Sequence, residues 1–253
     1  MATSELDPPP LPPPMKVVVI GGTGEIGRCL VGALLQAKER IEAVTLIGRR
    51  KLEIVPEQYK VDLAAEEASG RLKQHVQDLD AVTEDTVKEL SAGYQVFFNT
   101  LGTTRRQAGS AEAFRHIDLE IPLKLIRAAR EAGVPHCSVV SSLGADQNSW
   151  FLYMKTKGEI EEAVRQLSFP ITTIFRPGVL GRTNPSLGEK LGGVFQTPIP
   201  VSVVGEAMVQ DAYTCYTKQL EGFNILRNNE IYRLCEEAKA PKQEKPTDGQ
   251  PST

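Results

Sequence analysis

No stretch of this sequence is apolar for long enough to cross a bilayer, so a membrane-spanning protein is not expected. Cationic residues are not in excess either. Lys and Arg number 29 against 32 Asp and Glu, and the net charge of -3 argues against an intrinsic nucleic-acid surface. Histidine is scarce: His75, His116 and His136 are dispersed, no Cys/His/carboxylate spacing points to a metal, and a structural or surface role is expected for each. The four cysteines, Cys29, Cys137, Cys215 and Cys235, form no CxxC pair, which fits reduced thiols in a cytosolic setting better than a disulfide framework. The single tryptophan, Trp150, precedes a helical segment, where it suits a pocket wall or, more simply, packing. There is no internal repeat.

What is present is length for one large α/β domain, with an apolar fraction of 41% and a charged fraction of 24% that are ordinary for a globular protein. Residues 1–14 carry six prolines with acidic residues and no apolar core, which reads as a disordered leader of polyproline type, neither a secretion signal nor an arginine-rich transit peptide. Residues 238–253 are again rich in Pro, Lys, Gln, Ser and Thr and are expected to be disordered. The folded unit is therefore placed at residues 15–237.

From Met15 to Arg50 an apolar strand, MKVVVI, runs into GGTGEIG, then a helix, then a second strand ending in GRR. Val17 to Ile20 are apolar without alternation, as a strand buried on both faces of a parallel sheet requires. Gly21, Gly24 and Gly27 supply the tight turn, the close backbone approach to a pyrophosphate and the near packing of helix on strand. The unpaired N–H groups at the helix start then face the anion. About twenty residues on, where an NAD enzyme carries an acidic residue for the ribose 2′-hydroxyl, this chain has Arg49 and Arg50, followed by Lys51. Guanidinium forks suit a 2′-phosphate, so the cofactor is read as NADP(H).

Further strands are predicted at residues 73–77, 94–99, 137–140 and 171–175, and helices at 83–90 and 111–132. In the second helix Phe114, Ile117, Ile121, Leu125 and Ala129 recur at core-facing spacing. Asp78 sits where such a fold places the adenine edge, and a strand-end turn explains it as well. The turn Leu101-Gly102-Thr103-Thr104 is expected beside the glycine loop. Alternating strands and helices imply a doubly wound parallel sheet, a single domain with a small C-terminal region on the substrate side. The apolar positions Val203, Val204, Met208 and Tyr213 suit either core or interface.

Tyr153 and Lys157 are four apart in a helical segment and share a face. A phenol is a poor acid–base group at neutral pH, but an adjacent ammonium and an oxidised nicotinamide stabilise its phenolate. Ser142, with Ser141 in reserve, lies at a strand's carboxyl end and is placed to bond the same substrate oxygen. Together these groups fit carbonyl reduction: hydride from a nicotinamide, a proton from tyrosine, orientation from serine.

The order GxxGxxG, Arg pair, LGTTR, SSxGA, YxxxKGE and FRPGVL resembles the atypical short-chain dehydrogenase/reductases of Rossmann fold, and more closely the oxidoreductase family of the Tat-interacting protein, which binds NADPH. The similarity runs from about Val17 to Cys235. It implies that Thr23, Gly24, Glu25, Ile26, Arg49, Arg50, Leu101, Gly102, Tyr153, Lys157 and Leu180 contact cofactor or take part in catalysis. It also implies association with transcription, nuclear import and endosomal trafficking factors, hence protein partners and a cytoplasmic location with a nuclear fraction. Two departures stand out. Short-chain enzymes often carry an Asn on the helix after the fourth strand to anchor a proton-relay water, where this chain offers Asp118, and the segment NPSLGEKLGGVFQTPIP is shorter than the usual one. Two functions follow: an NADPH-dependent reductase of a small carbonyl compound, or an NADPH-binding redox sensor that acts through protein partners with little turnover.

Overall fold

The computed structural model describes residues 12–181 and 197–239. In strand β1 (Met15–Ile20), Val17 and Val19 point into one apolar layer, Val18 and Ile20 into the other, and all four are buried. This accounts for the unbroken apolar run. The chain continues through α1 (Glu25–Gln36), β2 (Ile41–Gly48), two short helices α2 (Pro56–Tyr59) and α3 (Leu63–Ala68), and β3 (Leu72–Val76). The next stretch comprises α4 (Glu84–Ser91), β4 (Val96–Asn99), α5 (Arg105–Ala108) and α6 (Ala111–Arg115), which leads through a π-helical turn (His116–Glu120) into α7 (Ile121–Glu131). Then come β5 (His136–Val140), α8 (Leu152–Gln166), β6 (Ile171–Phe175), β7 (Leu180–Gly181), β8 (Ile199–Pro200), α9 (Val201–Lys218), β9 (Gly222–Leu226) and α10 (Asn228–Lys239).

Seven strands form one parallel sheet in the order β3-β2-β1-β4-β5-β6-β9, and β7 and β8 form a separate two-stranded ladder. This is the Rossmann-like winding expected, with the strand order reversing between β1 and β4. Helices α1, α9 and α10 cover one face and α4, α7 and α8 the other. Gly205 lets α9 lie close on α1, since a Cβ there would meet the Leu30 nitrogen at 2.7 Å. Val204 and Met208 are core residues, with Val203 and Tyr213 half-buried against them.

The seventh strand was not expected. Strand β9 lies on the sheet's edge with mostly half-buried residues and opens on Gly222, so neither alternation nor an apolar run marks it. The long helix at 111–132 is a second correction. A π turn occupies His116–Glu120, within which Asp118 and Leu119 are buried while Ile117, expected in the core, is only half-buried. Gly133, at φ 85°, stops the helix as predicted. Thr83 caps α4 by accepting the Thr86 N–H at 3.1 Å.

Beneath α9 lies a buried polar group of His136, Thr173, Asp211 and Cys215. His136 Nε2 is 3.2 Å from Thr173 Oγ1 and 3.9 Å from the Asp211 carboxylate. Burial holds His136 down to about 3 and Asp211 up to about 6, so the imidazole is neutral at physiological pH, as a structural histidine should be. All four cysteines are buried, and none is in a disulfide among the described residues.

Candidate active site

At the carboxyl edge of β1 the backbone has no room for side chains. Gly21, at φ 80°, would carry a Cβ 2.4 Å from the Leu101 nitrogen, and a Cβ on Gly27 would stand 2.2 Å from the Gly21 carbonyl oxygen. The two loops that flank the strand-order reversal therefore approach at backbone distance, as the sequence predicts for Leu101. The contact is held by the Thr100 N–H and hydroxyl, which both donate to the Ile20 carbonyl at 3.0 Å, and by the Asn99 side chain, which accepts the Leu101 N–H at 3.0 Å. Helix α1 starts at Gly24 with no side-chain cap, whereas Asp62, Thr83, Thr104 and Ser110 cap α3 to α6. The first-turn N–H groups of Ile26 and Gly27 thus have no partner within the helix. Ile26 buries its side chain in the core, so its N–H is what it offers the loop.

A crevice of about 490 Å³, part of it open to solvent, extends from this turn along the ends of β2 and β3. Gly21, Gly22, Thr23, Gly48, Arg49, Arg50 and Leu101 line it together with Leu52, Gln74, His75, Val76 and Leu79. Arg49 and Arg50 are exposed, and neither is in an ion pair among the described residues, while the adjacent Lys51 is 2.8 Å from Glu67. The wall formed by His75, Val76 and Leu79 went unread in the sequence, although Leu79 follows Asp78 directly. Asp78 itself accepts the Asp80 N–H at 3.2 Å, the turn reading of that residue. His75 is bonded to Gln77 at 2.8 Å.

The other predicted groups meet on α8 and the loops that face it. Lys157 is buried, with its ammonium 2.7 Å from Asp118 Oδ1, while Asp118 Oδ2 accepts the Thr103 N–H at 2.8 Å. Asp118 is therefore a direct partner of the predicted lysine; it shares the helical spacing of the buried Phe114, Ile121 and Leu125, but that spacing does not name a partner on α8. Over this pair lies Gly102, where a Cβ would come within 3.5 Å of Lys157 Nζ. Tyr153 is partly exposed and packs its ring against Phe114, centroids 5.9 Å apart. The two serines differ. Ser141 is buried and donates its hydroxyl to Glu161, which also binds Arg176 through two guanidinium nitrogens. Ser142 is half-buried, its hydroxyl 3.2 Å from the Leu143 carbonyl.

Trp150 corrects the sequence reading, for at 101% relative exposure it neither packs nor lines a wall. Phe151 beside it is also exposed, because the loop before α8 is folded onto Gly158, where a Cβ would stand 2.1 Å from the Gln147 nitrogen. Leu180 is half-buried in the β7–β8 ladder opposite Ile199. Most of NPSLGEKLGGVFQTPIP lies outside the described residues. Among those described, no cluster of His, Cys, Asp or Glu is arranged to hold a metal, and no helix is long and apolar enough to cross a membrane.

Comparison with known proteins agrees with this geometry. The chain is 34% identical over 238 residues to Protein HTATIP2 of Rattus norvegicus, covering 89% of this chain and 91% of that protein. It is 37% identical over 173 residues to Protein FMP52, mitochondrial, of Lodderomyces elongisporus, covering 68% of this chain and 70% of that one. Among solved structures, MoeE5 in complex with UDP-glucose and NAD superposes with a TM-score of 0.62 at 16% identity, over 88% of this chain and 82% of that one, a likeness of fold. The NmrA-like family matches residues 13–209. With its sheet order, glycine turn and relatives in agreement, the chain belongs to the NmrA-like family, among the relatives of Protein HTATIP2.

Proposed function

We propose that this protein is an NADPH-dependent oxidoreductase that reduces a carbonyl group on a small molecule. The observation that carries the reading is the convergence at one sheet edge of a backbone cradle that any Cβ would fill and the buried Lys157 one helical turn from Tyr153. The donor set fits a dinucleotide: the first-turn N–H groups of Ile26 and Gly27, which the helix's own carbonyls do not reach, for the pyrophosphate, and the apolar wall of Leu52 and Leu79 for the adenine. Arg49 and Arg50 fit a 2′-phosphate, as guanidinium groups in no ion pair among the described residues. When bound, the reduced cofactor supplies hydride. The chain's own residues do the rest. Tyr153 donates the proton to the carbonyl oxygen, Ser142 orients that oxygen, and Lys157 holds the ribose beside them. Ser141 supports the site from below, because its hydroxyl is committed to the Glu161–Arg176 pair.

Isothermal calorimetry tests the cofactor. NADPH should bind more tightly than NADH, and Arg49→Ala should reduce that preference by about tenfold, the effect of one charge-assisted contact. Equal binding of the two cofactors by the wild-type protein rejects the assignment. Chemistry is tested by NADPH oxidation against a panel of aldehydes and ketones. Turnover should fall by at least about a hundredfold in Tyr153→Phe with cofactor affinity retained. A second reading is an NADPH sensor with little turnover, and the same panel separates it from the reductase. NADPH binding with no oxidation of any panel member selects it.

A further inference from the structure

Lys157 does not stand in the site as a lone cation. We propose that Asp118 is a positioning residue that, through the Lys157 ammonium, sets how far the site discriminates between the oxidised and the reduced nicotinamide cofactor. The inference rests on the NADP(H) reading above.

The geometry is that of a preformed ion pair. Asp118 has no exposed side-chain surface and Lys157 has 7%, and they meet at 2.7 Å. The second carboxylate oxygen is fixed by the Thr103 N–H at 2.8 Å, so the pair is tied to the loop that follows β4. Asp118 lies in the π turn, on the face buried with Phe114 and Leu125, and Gly102 leaves only backbone over the two charges. At such a place charges are weakly screened. An oxidised nicotinamide ring bears a positive charge and a reduced ring does not. A lone ammonium near the ring would repel the oxidised form and leave the reduced form almost unaffected. A carboxylate in contact with that ammonium cancels most of the repulsion, so both forms are admitted. A pair of this kind suits an enzyme that must release oxidised cofactor against reduced, and equally a sensor that must register their ratio.

The test is the ratio of dissociation constants, Kd(NADP+)/Kd(NADPH), measured by calorimetry without any substrate. Asp118→Asn keeps an oxygen for the Thr103 N–H and removes the charge, and should raise the ratio by about fivefold or more. Lys157→Met leaves the carboxylate alone and should lower it. The double variant should return the ratio towards that of the wild type. A structural role for Asp118 would weaken both cofactors by one common factor and leave the ratio fixed, which overturns the proposal. Should Asp118→Asn fail to fold, the sign of the Lys157→Met shift decides, and a rise or no change overturns it. Wild-type protein that binds neither cofactor defeats the NADP(H) reading itself and the inference with it.

Discussion

The two ends of the cleft are built by opposite means. At the glycine turn the tightest approaches are main chain on main chain, and the requirement is for missing atoms: Gly21 and Gly27 are places where one extra carbon would meet backbone at 2.4 and 2.2 Å. At the α8 end the requirement is for present atoms, in two buried ion pairs, Lys157 with Asp118 and Arg176 with Glu161. The first end tolerates no side chain and has open space beside it. The second is filled, and its order depends on charges that neutralise each other away from water. A site of the first kind fails by steric intrusion, a site of the second by leaving a charge unpaired.

The largest test of this contrast is Glu161→Ala, which leaves Arg176 mostly buried without its partner and releases the Ser141 hydroxyl. A loss of about 3–5 kcal/mol is expected. Differential scanning calorimetry would register it, and a melting temperature equal to that of the wild type would show that this end does not depend on its ion pairs. Next is Gly27→Ala. Its Cβ forces backbone apart at the turn, at a cost of about 1–3 kcal/mol. Its mark should be disproportionate loss of NADPH binding, read by fluorescence titration; intact binding would mean that the cradle adapts.

The smallest test joins the two ends. His116, in the π turn, is hydrogen-bonded to Glu120 at 2.7 Å and to Asp80 at 2.5 Å, next to the crevice wall at Leu79. The bonds to Glu120 and then Asp80 raise its pKa above the ordinary 6.5. A cation held more firmly in the folded state contributes stability fully below pH 6.5 and loses that contribution as pH rises through the raised value. The group is largely exposed, so the effect should be small. His116→Gln should lower the melting temperature slightly at pH 6 and leave it unchanged at pH 9. A difference that is larger at pH 9 would reverse the assignment.

The same contrast decides what was legible in the sequence. Missing atoms are spelled out in the sequence as glycine, so the turn at residues 21–27, the strand before it, the arginines after it and the order of six strands were all readable. Tyr153 and Lys157 were readable because helical spacing is regular. Asp118 was noticed only as a departure from Asn, since periodicity can place it on a buried face but cannot name its partner on another helix. Glu161 was not read at all, because its partners Ser141 and Arg176 come from two other strand ends. The wall at His75, Val76 and Leu79 was missed because it forms only where β3 lies beside β2.

The wide helical turn at His116–Glu120 makes one position in the chain a matter of counting. A wide turn holds one residue more than the ordinary helix on either side, so losing one residue here would let the hydrogen bonds close in the α pattern while the flanking faces keep their register. In comparing relatives, a one-residue gap here is therefore a length change the layers can absorb, and what separates a balanced lysine from a bare one is whether the carboxylate itself survives the gap.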